Sequence, residues 1–532
     1  MTTALAERST HTAGRRARWR FPWPWLSCVL LWLAAVLFRL PPLLNARGVD
    51  SDAAVVGLQA RHLLHGEWAW FLWGAGYQGI GDVLLTALGF AVTGSRPLTL
   101  MAIPLLGHLL LIGFVWAVLR RRLGVTLATL VALPLVFAPA AVNGVALYPP
   151  RQWAITLAFA AFWLLDGASA ARRPRLRYTA GALLGALALY LDLFALQFLP
   201  GLVAFALACS LDGNPPARTR WRRIGVCSLG FAAGLGLLWL VRQQPGAAFP
   251  AEATPLAGLQ RLQLLLSAAL PWVLSAKVFI PGTALDTVAW RPPAPVIVVQ
   301  YAGALLFAAG FIYGTIAACR HTLPWPVRRL GGLGGIVAAT SLAGFVVSTS
   351  PQDVWSARYL APLIWIAPFA LAPIAYLLHP RRFALALAPY LVAAAIGGWL
   401  SYGPYVAGAW PVRSPRGVAA DEAQLGAALR ERGVSYAAAQ YWLAYRLTFL
   451  WDEQPIVVPL DPAQDRYAPY RQGYTAAPVV ALIFHPSEPR ATPDCYETQL
   501  RQAGATYERL TIAGFTVLLW RRGPPERGIK PC

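Results

Sequence analysis

Apolar runs of about twenty residues recur through the first three quarters of the chain, separated alternately by short arginine clusters and by breaks that are arginine-poor or carry acids. A helix of that length crosses the hydrocarbon core of a bilayer, and only a helix satisfies every backbone N–H and C=O inside its own segment there. The clusters lie in the N-terminal tail, at Arg120 to Arg122, Arg172 to Arg177, Arg218 to Arg223, Arg320 to Arg329 and at Arg381 with Arg382. Short loops rich in Lys and Arg stay in the cytoplasm, so the chain must cross twice between successive clusters. The intervening breaks fall at Pro41 to about Pro97, Asn143 to Gln152, Leu191 to Phe194, Arg242 to about Pro293 and Ser348 to Arg358. Eleven spans follow, with the N-terminus inside. Ile80 to Thr93 is an additional apolar stretch that breaks this parity. It has about 14 residues and carries Asp82, so it is predicted to lie along the outer surface rather than cross.

The parity organises the chain into a basic cytoplasmic tail over 1–24, a membrane domain over 25–402 and an extracytoplasmic domain over 403–532. The first outer loop runs over about 41–97 and a large outer loop over about 242–293. No small-residue cleavage site follows the first apolar run, Trp25 to Leu40, which therefore reads as an uncleaved signal anchor. Beyond Gly403 the pattern changes: the segment holds 12 of the 23 acidic residues. Asp421 to Arg432 has the charge and periodicity of a helix, while Ile456 to Pro459, Val479 to Phe484 and Phe515 to Trp520 read as strands. The fold class is thus a polytopic α-helical membrane protein with a small C-terminal α/β domain.

Composition narrows the functional classes. With 57% hydrophobic and 13% charged residues, a water-soluble enzyme is excluded. The net charge of +22 is not a nucleic-acid signature, because it is concentrated in the short clusters between apolar runs. No Gly-rich phosphate loop and no His/Cys spacing of a zinc site is present, and no cofactor is called for; a divalent metal is compatible with the acids but not indicated. Cys28, Cys209, Cys227 and Cys319 read as small buried hydrophobes, leaving Cys495 and Cys532 able to bridge each other outside the cytoplasm.

Carboxylates near a bilayer are costly, which makes their distribution informative. Residues 1 to 402 hold only 11, and eight of these fall in predicted outer segments: Asp50, Asp52, Glu67, Asp82, Asp192, Glu252, Asp286 and Asp353. Four lie in the first outer loop. There Asp52 is predicted to cap a helix beginning at Ala53, placing a carboxylate at the membrane surface where it can act as a general base.

The first loop resembles that of the C-type (GT-C) membrane glycosyltransferases. The resemblance rests on Asp52-x-Ala-x-x-Gly-Leu-x-Ala-x-His62, the Gly66-Glu67 pair, the aromatic run after it and the Gly/Tyr-rich stretch ending at Gly79. Its bacterial members similar to protein O-mannosyltransferases and aminoarabinose transferases are the nearest in kind. The resemblance implies sugar transfer from a polyprenyl-phosphate donor, in the bilayer, to an unidentified glycan, lipid or protein acceptor at the outer side of a bacterial cytoplasmic membrane. It implies that Asp52 is the catalytic residue, with Asp50 a candidate to share the role because Ala53 stands where an acid commonly follows. Arg358, in the Arg-Tyr pair with Tyr359, is implied as a donor-phosphate contact. Lys277 and Arg151 are further candidates, and Asp192 matches an acid on a later outer turn. His62 completes the candidates. A lipid-linked glycan ligase, a transporter or a scaffold are the rival classes; a transporter predicts charges at span centres and paired repeats, which the pattern lacks.

Overall fold

The computed structural model describes residues 23–248, 258–277, 293–400, 419–486 and 491–521. Seven helices are long and apolar enough to cross a membrane, among them Pro97–Val136, Ala217–Arg242, Ala294–Ala317 and Trp325–Val347. Pro97–Val136 is 40 residues long because two helices meet at Gly124, whose φ of 76° breaks the helix directly after the arginines of the first internal cluster. The helices Trp23–Phe38, Gln152–Asp166 and Pro174–Leu191 fall where further spans are expected but are not among these seven, so the described residues show seven membrane-length helices against the eleven spans expected. Gly81–Thr93 has only 13 residues, packs on the helix Ser51–Leu64 and leaves Leu88 and Val92 exposed, as a surface helix should.

The arginine clusters converge as parity requires. Arg121 and Arg122 pair with Asp166, Arg329 pairs with Asp166 and Asp212, Arg177 donates to the Gly167 carbonyl, and Arg223 to those of Ser210 and Asp212. Four loops therefore meet at one end of the bundle. The cluster in residues 1–22 lies outside the described residues, as do Glu252, Asp286 and the boundary drawn at Gly403.

In the first outer loop β1 (Phe71–Leu72) and β2 (Ala75–Gly79) form a small hairpin. The C-terminal domain is a five-stranded sheet of β3 (Tyr436–Ala439), β4 (Ile456–Pro459), β5 (Val479–Phe484), β6 (Thr506–Ile512) and β7 (Phe515–Arg521), in the order β4-β3-β5-β7-β6. β3 is parallel to β4 and β5, whereas β7 is antiparallel to β5 and β6. The continuous apolar run of β5 is buried on both faces, as a central strand requires. On one face Ala481, Ile483, Val517 and Leu519 pack with the helix Ala419–Glu431. On the other, Val480, Leu482, Leu518 and Trp520 share a core with Ala53, Val56 and Ala60 of the first-loop helix. The soluble domain is therefore fused to the membrane domain through common apolar packing. Gly57 permits a close approach: a Cβ there would lie 2.7 Å from the ring of Phe449 on the helix Tyr441–Leu450. Cys495 is disulfide-bonded, and Cys532 lies outside the described residues.

Candidate active site

The helix Ser51–Leu64 begins two residues earlier than its sequence implies. Asp50, not Asp52, is its N-cap, accepting from the Ala53 N–H at 2.9 Å. This corrects the assignment of the cap, and the reason is that Ser51 is drawn into the helix by its own bonds: its hydroxyl donates to the Tyr441 carbonyl and accepts from the Arg446 N–H. The change frees Asp52 from capping. Its carboxylate projects from the first turn with 42% of the side chain exposed. Tyr441 donates to Oδ1 at 2.5 Å, and an Arg466 Nη lies 3.6 Å from the same oxygen. Oδ2 has no partner among the described residues.

Neither Tyr441 nor Arg466 was a candidate in the sequence, and both come from the soluble domain. Tyr441 opens the helix that follows β3, and Arg466 lies in the loop after β4, so both stand at the carboxyl ends of adjacent parallel strands. Arg466 is fixed on all sides: Nε donates to the Tyr441 hydroxyl at 3.0 Å, Nη1 to the Gly74 carbonyl at 2.7 Å, and its backbone N–H to the Tyr445 hydroxyl at 2.6 Å. Gly74 has a φ of 62°, and a Cβ there would meet Arg466 at 2.5 Å, so this turn of the hairpin needs glycine for both conformation and space. Burial and the neighbouring Asp52 charge push the Tyr441 phenol well up, keeping it a donor.

A second group of residues stands next to the first. Arg151 Nε pairs with Asp192 Oδ2 at 2.8 Å, and Gln78 of β2 donates to the same oxygen at 2.8 Å, while Asp192 Oδ1 accepts from the Phe194 N–H. Asp192 is buried and caps the short helix Leu193–Phe198, so its turn role and its ion pair are both real. Arg151 sits at φ 117°, a conformation costing on the order of 1–3 kcal/mol for a residue with a Cβ. It is held there by its side-chain pair with Asp192, by stacking over Phe194 at 4.8 Å, and by its N–H at 3.4 Å from Asp82. Burial would lower the guanidinium pKa, but Asp192 outweighs it and the shift is upward, so the charge is retained. The Nη groups have no hydrogen-bond partner among the described residues.

Asp82 was read with the solvated outer acids, and the structure corrects this. It is buried under the Arg151 turn, its Oδ1 has no hydrogen-bond partner among the described residues, and burial pushes its pKa up to about 7. Helix Gly81–Thr93 lays its first turn against the loop at Arg151, which closes over the carboxyl.

Tyr77 of β2 joins the two groups. Its phenol is raised first by burial and also feels Arg151, Asp192, Tyr359 and Arg466. Tyr359 approaches Phe194 at 6.5 Å between ring centroids, and Arg358 lies over the Tyr359 ring at 5.2 Å. The short helix carrying both, Val354–Leu360, is started by a capping box of Asp353 and Ser356. Arg358 is exposed beside Tyr359. Arg151, Asp192, Tyr359 and Arg466 thus gather around Tyr77, with Asp52 reached through Arg466 and Arg358 beside Tyr359. Lys277 does not join them: among the described residues its ammonium donates only to the Ser267 carbonyl, at 2.8 Å. Asp50 serves as the cap.

His62 belongs to a different structure. Ten residues beyond Asp52 on the same helix, it bonds Glu67 at 2.7 Å and Glu453 at 3.1 Å and packs edge-on against Trp73 and Tyr467. Tyr467 and Tyr470 donate to Glu67 and Glu453 respectively, so the cluster clips the first loop to the soluble domain. The Glu453 hydrogen bond, with Glu67, raises the His62 pKa against burial, and His62 in turn lowers that of Glu453 despite burial. A raised histidine contributes stability that is complete below its unfolded value, about 6.5, and lost as pH rises through the folded value. The depressed Glu453 contributes above about 4.5 and loses it as pH falls. The clip is expected to be firmest between these limits, and His62→Ala to flatten the fall in melting temperature on the alkaline side, as read by thermal denaturation between pH 5 and 9.

Among the described residues no three His, Cys, Asp or Glu side chains converge as metal ligands. The acids nearest the site, Asp82 and Asp192, face the Arg151 backbone and guanidinium instead.

The fold thus combines a bundle of apolar helices, an acid on the first-loop helix and an α/β domain docked onto that helix. The chain shares it with ArnT from Cupriavidus metallidurans: the structure bound to undecaprenyl phosphate aligns with a TM-score of 0.57 at 14% identity over 93% of this chain and 98% of that one. The apo state of the same protein gives 0.54 at 14% identity, covering 92% and 97%. The oligosaccharyltransferase of Archaeoglobus fulgidus in complex with Zn and sulfate gives 0.50 at 11% identity, covering 92% of this chain and 72% of that one. No family model matches the sequence, and no curated protein matches it significantly.

Proposed function

We propose that the chain is an inverting glycosyltransferase that moves a sugar from a polyprenyl-phosphate donor to an acceptor hydroxyl at the outer face of the bacterial cytoplasmic membrane. The observation that carries this reading is the asymmetry of Asp52: both of its donors sit on Oδ1, leaving Oδ2 open on the exposed side for an acceptor proton. In this mechanism Oδ2 takes the hydroxyl proton as the acceptor oxygen bonds to the anomeric carbon. The bond from that carbon to the phosphate oxygen breaks, its electron pair leaves with the phosphate, and the configuration inverts. Tyr441 and Arg466 are positioning residues that hold Oδ1.

The unpartnered Nη groups of Arg151 and the exposed guanidinium of Arg358 supply bidentate donors for the departing phosphate dianion, which a guanidinium recognises while staying charged in a poorly hydrated site. Phosphate is a fair leaving group, so positioning and charge stabilisation provide most of the acceleration. The undecaprenyl phosphate held by ArnT supports a lipid donor of this kind. In this orientation the arginine end of the bundle and the N-terminus face the cytoplasm, and the domain beyond 403 faces outward. The test is an isolated-membrane assay with labelled polyprenyl-phosphate sugars, followed by identification of the labelled product. Label passing only from a lipid-diphosphate oligosaccharide, and never from a monophosphate sugar, would favour a glycan ligase instead.

A further inference from the structure

The end of the bundle remote from Asp52 holds a cavity that sugar transfer does not use. Gln152–Asp166 and Pro174–Leu191 each have one end at the candidate active site, at Arg151 and Asp192, and the other at this cavity. The 15 residues of the first put about 22 Å between the two ends. The cavity encloses about 1070 Å³ and is ringed by Arg121, Arg122, Arg172, Arg173, Arg177 and Arg223.

Two acids, Asp166 and Asp212, line it as well, and both are already engaged. Asp166 is buried and takes up Arg329 at 2.7 Å, Arg122 at 3.0 Å and Arg121 at 3.4 Å. Asp212 takes up Arg329 at 2.7 Å and the Ser169 hydroxyl at 3.1 Å. Among the described residues the remaining positive charge has no carboxylate counterpart. Arg172 and Arg173 are exposed with no carboxylate among the described residues, and the buried Nε of Arg122 has no hydrogen-bond partner. Arg177 is spent on the Gly167 carbonyl and the Trp163 ring, and Arg223 on two carbonyls, contacts that orient guanidinium groups without neutralising them. Guanidinium groups gathered round an open volume, held by carbonyls and rings rather than by acids, favour an anion between them.

We propose that this cavity binds a phosphate-bearing group, and that the group is the headgroup of an anionic phospholipid. The rim favours the lipid over a soluble anion. Leu176 on one side is 60% exposed, and Trp221 and Leu229 on the adjoining helix Ala217–Arg242 are 65% and 72% exposed, so acyl chains leaving the cavity meet apolar surface. That helix is only 11% buried across its apolar window, which makes it lipid-facing along its length. A headgroup seated here ties the loops before Pro174 and before Ala217 to the Arg121–Arg122 turn and stiffens the inner end of the bundle.

The test is native mass spectrometry of the full chain in detergent with added phosphatidylglycerol or phosphatidylcholine, alongside thermal denaturation with inorganic pyrophosphate. Phosphatidylglycerol is expected to be retained preferentially. Arg172→Gln with Arg173→Gln, exposed positions whose change leaves the Asp166 hub intact, is expected to weaken that retention about tenfold, the loss of one to two charge-assisted hydrogen bonds. Equal retention of the two lipids, or unchanged retention by the double variant, overturns the site. Stabilisation by pyrophosphate that depends on the same two arginines, without preference between the lipids, overturns the lipid as its source.

Discussion

Asp52→Asn is expected to lower sugar transfer by about 10² to 10⁴, the range that a positioned general base supplies, with expression, membrane insertion and melting temperature unchanged. The amide has nearly the same shape and still accepts from Tyr441 through its oxygen, so the contact that docks the soluble domain at this point survives. What disappears is a group able to take a proton. The measurement is transfer of labelled sugar from a polyprenyl-phosphate donor by purified, reconstituted protein, with donor binding followed separately. Near wild-type transfer by Asp52→Asn would remove the base from the mechanism. Asp50→Ala is the natural control: as the cap of the same helix it is expected to cost stability, on the order of 1 kcal/mol, rather than chemistry.

Arg151→Gln should be the more damaging change overall, because two effects coincide. It removes the guanidinium facing the proposed phosphate, and it strands Asp192, which is buried and loses its ion pair. Breaking a buried pair from one side costs about 3–5 kcal/mol. The two effects separate in the double variant Arg151→Gln with Asp192→Asn, where no uncompensated charge remains, the amide oxygen keeps the Phe194 N–H and the Gln78 amide can turn its own oxygen to the new NH2 group. Thermal stability is expected to return toward wild type while transfer stays low and the apparent KM for the donor stays high. Recovery of transfer together with stability would show that Arg151 is a structural cation and would move the phosphate contact to Arg358.

Several elements of this site were legible from residue pattern. Asp52, Arg151, Asp192 and the Arg358–Tyr359 pair all lie in outer segments that hydropathy and arginine parity delimit, and a carboxylate in so oily a chain stands out. The aromatic and glycine pattern ending at Gly79 also singled out the hairpin, although Tyr77 within it was not recognised as the residue joining the two halves. Asp82 was misjudged because a helix too short to cross was taken to leave its acid in solvent, whereas packing against the Arg151 loop buries it. Lys277 was a further candidate, and among the described residues its ammonium is taken up by the Ser267 carbonyl instead.

Tyr441 and Arg466 were illegible for a different reason. Each sits in a stretch with aromatic and basic neighbours like many others in the soluble domain, 389 residues from Asp52 for Tyr441 and farther still for Arg466. Only the strand order brings them to the carboxyl ends of β3 and β4, and only the shared core of Val56, Ala60, Leu482 and Trp520 presses those ends onto the first-loop helix.

The sequence by itself determined the membrane class, the α/β character of the C-terminal domain and the segments in which the candidate acids lie. Those features follow from local constraints: a helix must satisfy its own backbone in hydrocarbon, and uncompensated charge must stay at its edges. The tertiary structure alone decided which oxygen of Asp52 is free, which arginines are paired and which are left facing a cavity. Those are matters of a few ångströms between distant segments, set by the packing of apolar faces whose partners no local pattern names.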